Sequence, residues 1–250
     1  MTPTSGGVAV VVTAEMLDGV VYVPGEVMSL DGPLLWAATV ERLGTRYGTP
    51  PPDDVAAEQT SEPDPGVPLR VYRAGGEWVY MSSAAEFIGD HGADVVHWHK
   101  RLDDGLLVPM VQDGAVAMGR RGKVPVNSGP YKAYRMPLWV QTVERLRWHA
   151  VTSDPERLKA ILCERVLHIG RRRNTGYGAV MAWSVEERDG ATDAWMWRDD
   201  GRPARPIPVA MMPDYDGPTE HLPVRPPYRL LQHHRECVAM ATEITERAIP

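Results

Sequence analysis

The spacing of apolar residues changes several times along this chain, and each change predicts a new element. Val8 to Val12 is a continuous β-branched run, the mark of a buried strand. Tyr22–Val27 reads as a loop or short strand. Trp36, Val40, Leu43 and Tyr47 then recur at helical spacing, with Leu34, Leu35 and Ala38 beside them. That helix is apolar nearly all round and is therefore mostly buried. Ser29 or Asp31 can cap it and Pro33 suits its first turn. Capping is the role this assigns to Asp31.

Thr49–Pro68 carries prolines among acids and reads as a solvated loop. Leu69–Tyr72 and Trp78–Ser82, either side of Ala74-Gly75-Gly76, predict a hairpin. Ala93–Arg101 and Leu106–Met118 follow, with turn signals at Asp103-Asp104-Gly105 and Asp113-Gly114. This region, about 93–137, reads as an inserted β-hairpin. Leu146, Trp148 and Ala150 alternate with Arg145, Arg147 and His149, a half-buried strand with a basic outer face. Ser153-Asp154-Pro155-Glu156 is a capping box, and Leu158, Ile161, Leu162, Val166 and Ile169 form the stripe of an amphipathic helix. Cys163 lies within it and is assigned to the core. Ala179, Met181, Trp183 and Val185 alternate as a last strand. Residues 190–250 are rich in Pro and Asp and end in an apolar-periodic stretch, Cys237–Ile249, that predicts a short helix. The order is β-α-β-β-α-β with a long insertion, an α+β class of ferredoxin-like pattern. Its core runs from about 8 to 189, with a C-terminal extension at 190–250.

Composition narrows the function. The 250 residues are 43% hydrophobic with a formal net charge of -6, so this is not a uniformly basic nucleic-acid binder. Charge is nonetheless uneven: His97 to Arg135 holds seven Lys or Arg against three Asp. A local basic surface on an acidic protein suits docking on nucleic acid within an assembly. Two cysteines and no CxxC pair indicate neither a disulfide framework nor a structural zinc site. The absence of a long apolar run or signal-peptide pattern leads to an expectation of a cytoplasmic protein without membrane contact.

The richest chemistry lies between the second helix and the last strand, at Gly170-Arg171-Arg172-Arg173-Asn174-Thr175-Gly176-Tyr177-Gly178. Gly170, Gly176 and Gly178 allow backbone to approach a ligand, and runs of free N–H groups bind anions. Arg171, Arg172 and Arg173 offer planar forks for phosphate, two of the three being expected to touch RNA. Asn174 sits among them, and Tyr177 can stack on a base. Beyond the loop, Gly129-Pro130 presents Lys132 as a point charge, with Tyr131 or Tyr134 as a stacking surface and Arg135 alongside. Arg120, Arg121 and Lys123, beside Gly119 and Gly122, read as a basic tip. The loop is no Walker A motif, since it lacks the terminal Gly-Lys-Ser/Thr.

Four segments in order carry a resemblance. The loop Gly170–Gly178 resembles the glycine-rich loop of the RAMP superfamily of CRISPR-associated proteins. Ser29–Ala38 resembles the first-helix motif of one branch, Asn127–Pro137 its "GPYK" segment and Arg205-Pro206-Ile207-Pro208 its arginine-proline motif. The branch is the subunit that caps the 5′ handle of the guide RNA in type IV effector complexes. The resemblance spans about Val8 to Val209. It implies a ferredoxin-like domain with a protruding thumb hairpin, no cofactor and no catalytic residue. The implied partners are the guide RNA, repeated RAMP backbone subunits and, indirectly, a target read by base pairing.

The alternative is metal-independent cleavage of repeat RNA, as some RAMP relatives perform, with His97, His99, His149 or His168 as acid or base. Alternation puts His97 and His99 on one strand face, but no third metal ligand is evident. His233-His234 reads as a surface patch. A scaffold touching only protein neighbours would not require the arginine loop.

Overall fold

The computed structural model describes residues 7–22, 26–44, 62–100, 104–116, 132–190 and 193–240. The elements are β1 (Val8–Met16), β2 (Val20–Val21), α1 (Asp31–Leu43), β3 (Val71–Ala74), β4 (Glu77–Tyr80), β5 (Glu86–Lys100), α2 (Asp104–Gln112), β6 (Tyr134–Thr152), α3 (Pro155–Arg165), β7 (Val180–Glu187), β8 (Thr219–Pro223) and β9 (His234–Val238). Among the described residues, 3-10 turns lie at Arg173–Thr175, Val209–Met211 and Leu231–His233.

The main sheet is antiparallel throughout, in the order β5-β6-β1-β7. Val20 and Val21 of β2 pair with Gln141 and Val140, which β5 also flanks through Ala93 and Asp94. β2 therefore lies on the β1 side of β6 and prolongs that edge. One face of the sheet presents Val10, Val12 and Ala14 of β1 with Leu146, Trp148 and Ala150 of β6. Leu34, Leu35, Ala37 and Ala38 of α1 and Leu158, Ile161 and Leu162 of α3 pack over these in the main core. Such burial is the chief stabilising term. The Trp148 indole N–H donates to the Met28 carbonyl at 2.9 Å, and the Trp183 indole N–H to Val166 O at 2.9 Å. Trp148 is thus fully buried and Trp183 half-buried, each with its donor satisfied.

The C-terminal part forms a second core. Trp195, Met196, Ile207, Met211, Val224, Cys237 and Val238 pack with Val79 of β4 and Val151 of β6. Strand alternation sends Val151 to the face opposite Ala150. Arg205, fully buried, links the two cores: it donates to Tyr80 O, to Ser82 O at 3.1 Å and to Val224 O at 2.7 Å. Its guanidinium stands 3.7 Å from the Asp31 carboxylate, itself fully buried. Asp31 also accepts from the Tyr228 hydroxyl.

Several expectations are corrected by this. No side chain caps α1: its N-cap position is Leu30, and Asp31 faces Arg205 and Tyr228 instead. α3 is capped by Asp154, which accepts from Arg157 N at 2.8 Å, and not by Ser153; Pro155 sits in its first turn. Cys163 is exposed, because the buried stripe passes through Leu158, Ile161 and Leu162 and turns Cys163 outward. Residues 104–112 form a helix and not the second strand of the inserted hairpin; the partner of β5 is β6. Cys237 and Val238 close a strand and do not start a helix, and residues 241–250 lie outside the described set.

His233 is 1% exposed, and its Nδ1–H donates to Arg225 O at 3.1 Å. It belongs to the interior and not to a surface patch. Burial lowers its pKa, the Arg225 carbonyl partly offsetting this. The folded protein then resists a proton that the unfolded chain accepts below about pH 6.5. The stability that neutral His233 supports is complete above that pH and is lost as pH falls through it. Urea unfolding between pH 8 and pH 5.5 should show this loss, and His233→Asn should flatten the slope; an unchanged slope would count against it.

Candidate nucleic-acid interface

The glycine-arginine loop is pinned at both ends. Arg171 N–H donates to Val21 O at 2.8 Å, Ile169 N–H to Gly178 O at 2.8 Å and Gly178 N–H to Gly19 O at 3.0 Å. Between these points Arg173–Thr175 makes a 3-10 turn, entered through Arg172 at φ 57°. Arg172 is the one non-glycine residue with positive φ among those described. Thr175 satisfies its carbonyl twice, from N at 3.0 Å and from Oγ1 at 2.8 Å. The reason for glycine differs from the expected one. A Cβ at Gly178 would fall 1.8 Å from Ile169 O, and one at Gly170 would fall 2.8 Å from Val21 O. Both are set by chain crossing. Only at Gly176, with φ 95° and no atom within 4 Å of a Cβ, is there room for a ligand. Four loop N–H groups, those of Arg171, Thr175, Gly176 and Gly178, are engaged within the protein.

The three arginines diverge. Arg171 is exposed and forks onto the Glu26 carboxylate, its Nε donating to Oε2 at 3.1 Å. Exposed pairs of this kind contribute about 0–1 kcal/mol, so a phosphate can replace the carboxylate. Arg172 reaches Met136, with Nη2 3.6 Å from Sδ. Arg173 lies over the Trp36 ring, its Cζ 5.3 Å from the centroid. Asn174 is in the turn.

The loop end of the β5–β6 hairpin lies beside it. Tyr177 packs with Val21, Leu138 and Val140, beside Trp98 and Met136, so its ring is partly occupied. Trp98 pairs with Met136 and Lys100 with Tyr134, so these four share one face. The Trp98 indole donates to the Tyr134 hydroxyl at 3.2 Å. Pairing of His97 with Pro137 and His99 with Arg135 puts His97, His99 and Arg135 on the opposite face. The two histidine rings are 6.1 Å apart. Lys132 is exposed just before β6. Tyr131, Arg120, Arg121 and Lys123 lie outside the described residues, as does Gly129-Pro130.

The other histidines are dispersed. His149 stands 3.7 Å from Glu86 and 3.3 Å from Arg188, and His168 bridges Ala179 through its backbone. His149 holds the Glu86 carboxyl below its ordinary range by hydrogen bonding. The expected basic face is charge-compensated: Arg145 lies opposite Glu15, and Arg147 opposite Glu86. Among the described residues no group of three His, Cys, Asp or Glu could hold a metal ion.

A cleft of about 220 Å³ opens between α1 and the loop. Pro33 and Trp36 from the first-helix motif, Gly170 and Arg173 from the loop, and Tyr228 from the C-terminal part all line it. Sequence reading missed Trp36, Tyr228 and Trp98 as site residues. Helical spacing classed Trp36 as core, although it is only half-buried. Trp98 was overshadowed by its flanking histidines, and no local pattern marked Tyr228.

The fold is thus a helix-backed antiparallel sheet that carries an arginine loop beside the aromatic loop end of the β5–β6 hairpin. The family model of the CRISPR type IV associated protein Csf3 matches residues 12–235, nearly the whole chain, and the chain belongs to that family. Membership implies a part in a multi-subunit CRISPR effector complex. No curated protein matches the chain. Among the described residues no helix is long and apolar enough to cross a membrane.

Proposed function

We propose that the chain is a non-catalytic, cytoplasmic guide-RNA-binding subunit that caps the 5′ handle of the guide in a type IV CRISPR ribonucleoprotein, for defence against foreign DNA such as plasmids. Its partners in this reading are the guide and the repeated RAMP backbone subunits. The sheet order β5-β6-β1-β7, with α1 and α3 on one face, supports a ferredoxin-like RAMP domain from which the β5–β6 hairpin extends as the thumb. The observation that carries the reading is the divergence of three guanidiniums from one pinned turn, beside Tyr177, Trp98 and Tyr134. Phosphates and splayed bases are the ligand that uses both kinds of group. The cleavage alternative finds less support, because His97 and His99 leave the hairpin on the face away from Tyr134 and Trp98.

Replacing Arg171, Arg172 and Arg173 together with Ala should reduce guide RNA retained by the affinity-purified assembly at least about tenfold, and should flatten the salt dependence of binding. Arg171→Ala alone should act least, since Glu26 already competes for that fork. Full RNA recovery by the triple variant would sink the proposal.

A further inference from the structure

The cleft beside the loop is lined for stacking and not for phosphate. Its walls are mostly apolar, including Val27, Pro33, Trp36, Trp148 and Ile169, and no Asp or Glu lines it. At about 220 Å³ it is smaller than the roughly 300–1,000 Å³ of pockets for drug-sized ligands. That size suits one planar ring system and excludes a duplex or a peptide helix. Arg173 over Trp36 supplies a flat cationic wall. Polar groups are few: the Ser29 Oγ, buried beside the Tyr228 hydroxyl, makes no hydrogen bond of normal geometry.

We infer that this cleft receives one unpaired nucleobase of the bound RNA, stacked against the Trp36–Arg173 pair. The inference rests on the RNA-binding reading above and adds to it a place where a base, rather than backbone, is held. Arg171 and Arg172 leave the same short turn toward Glu26 and Met136, while Arg173 turns into the cleft. A strand whose phosphates they hold passes the cleft mouth. A base that turns in gives up stacking on its neighbours and regains it on the indole and guanidinium.

The test uses the purified full chain, guide RNA recovered from the assembled complex, and synthetic copies each lacking one base of the 5′ handle. One abasic position should weaken binding by about tenfold, the scale of a lost base–aromatic stack. Trp36→Ala should bind intact and abasic RNA alike. Trp36→Phe, which keeps a flat ring, should remain sensitive at the same position. Should Trp36→Ala not fold, Arg173→Gln serves, with a reduced abasic effect expected. A wild-type chain that binds intact guide but is indifferent to every abasic position overturns the inference and leaves RNA binding standing. A chain that fails to bind intact guide overturns both.

Discussion

Replacing Arg205 with Met should cost about 3–5 kcal/mol of folding stability, the range for breaking a buried ion pair from one side. Both Arg205 and Asp31 are fully buried. Without the guanidinium, the carbonyls of Tyr80, Ser82 and Val224 lose a shared donor. Asp31 keeps only its bond from Tyr228 and its local backbone contacts. Burial already raises the Asp31 carboxyl above the ordinary carboxylate range, with Arg205 opposing that rise. Removing Arg205 removes the opposition, and Asp31 then takes up a proton at higher pH or disrupts its surroundings. Asp31→Asn should cost less, because an amide oxygen still accepts from Tyr228. Combining it with Arg205→Met should cost less than the sum of the two, since the second change removes a charge that the first left stranded. Urea unfolding of the four proteins measures this directly. A single-variant loss below about 1 kcal/mol, or strict additivity, would mean that the pair does not join the two cores.

That pair also shows where local sequence patterns stop. Ser29–Ala38 and Arg205–Pro208 were recognisable as separate motifs, yet nothing local says that Asp31 and Arg205 meet. Their contact depends on the C-terminal segment folding back over the β4 end, and that segment is held by short strands and prolines without a period. Elements with a clean period were legible: the run in β1, the alternation in β6, and the stripe of α3. An inserted hairpin is legible at about 93–137; the pairing of β5 with β6 is not, because the burial of β5 does not alternate. α2 was hidden by Pro109 and by the valines around it, which locally favour extended chain. At the site, the loop was legible as a tight turn with arginines. Which way each guanidinium points was not, since Glu26, Met136 and Trp36 come from three distant segments.

The loop itself supplies the second large effect. Gly178→Ala should destabilise the protein by roughly 2–5 kcal/mol, combining about 1–2 for a left-handed backbone with about 1–3 for overpacking. Gly178 has φ 70°, and the added Cβ would meet the Ile169 oxygen at 1.8 Å and its nitrogen at 3.2 Å. Neither is the end of a flexible side chain, so backbone must part. The hydrogen bonds from Ile169 N to Gly178 O and from Gly178 N to Gly19 O would open, and the arginines would lose their shared anchor. Gly176→Ala is the matched comparison: φ is 95°, but nothing stands within 4 Å of its Cβ. It should cost only about 1–2 kcal/mol of backbone strain and keep the arginines in place. Unfolding midpoints and amide exchange at Ile169 and at position 178 distinguish the two variants. If both lose the same small amount, then the crossing at Ile169 yields easily, and the loop holds its arginines by some means other than this contact.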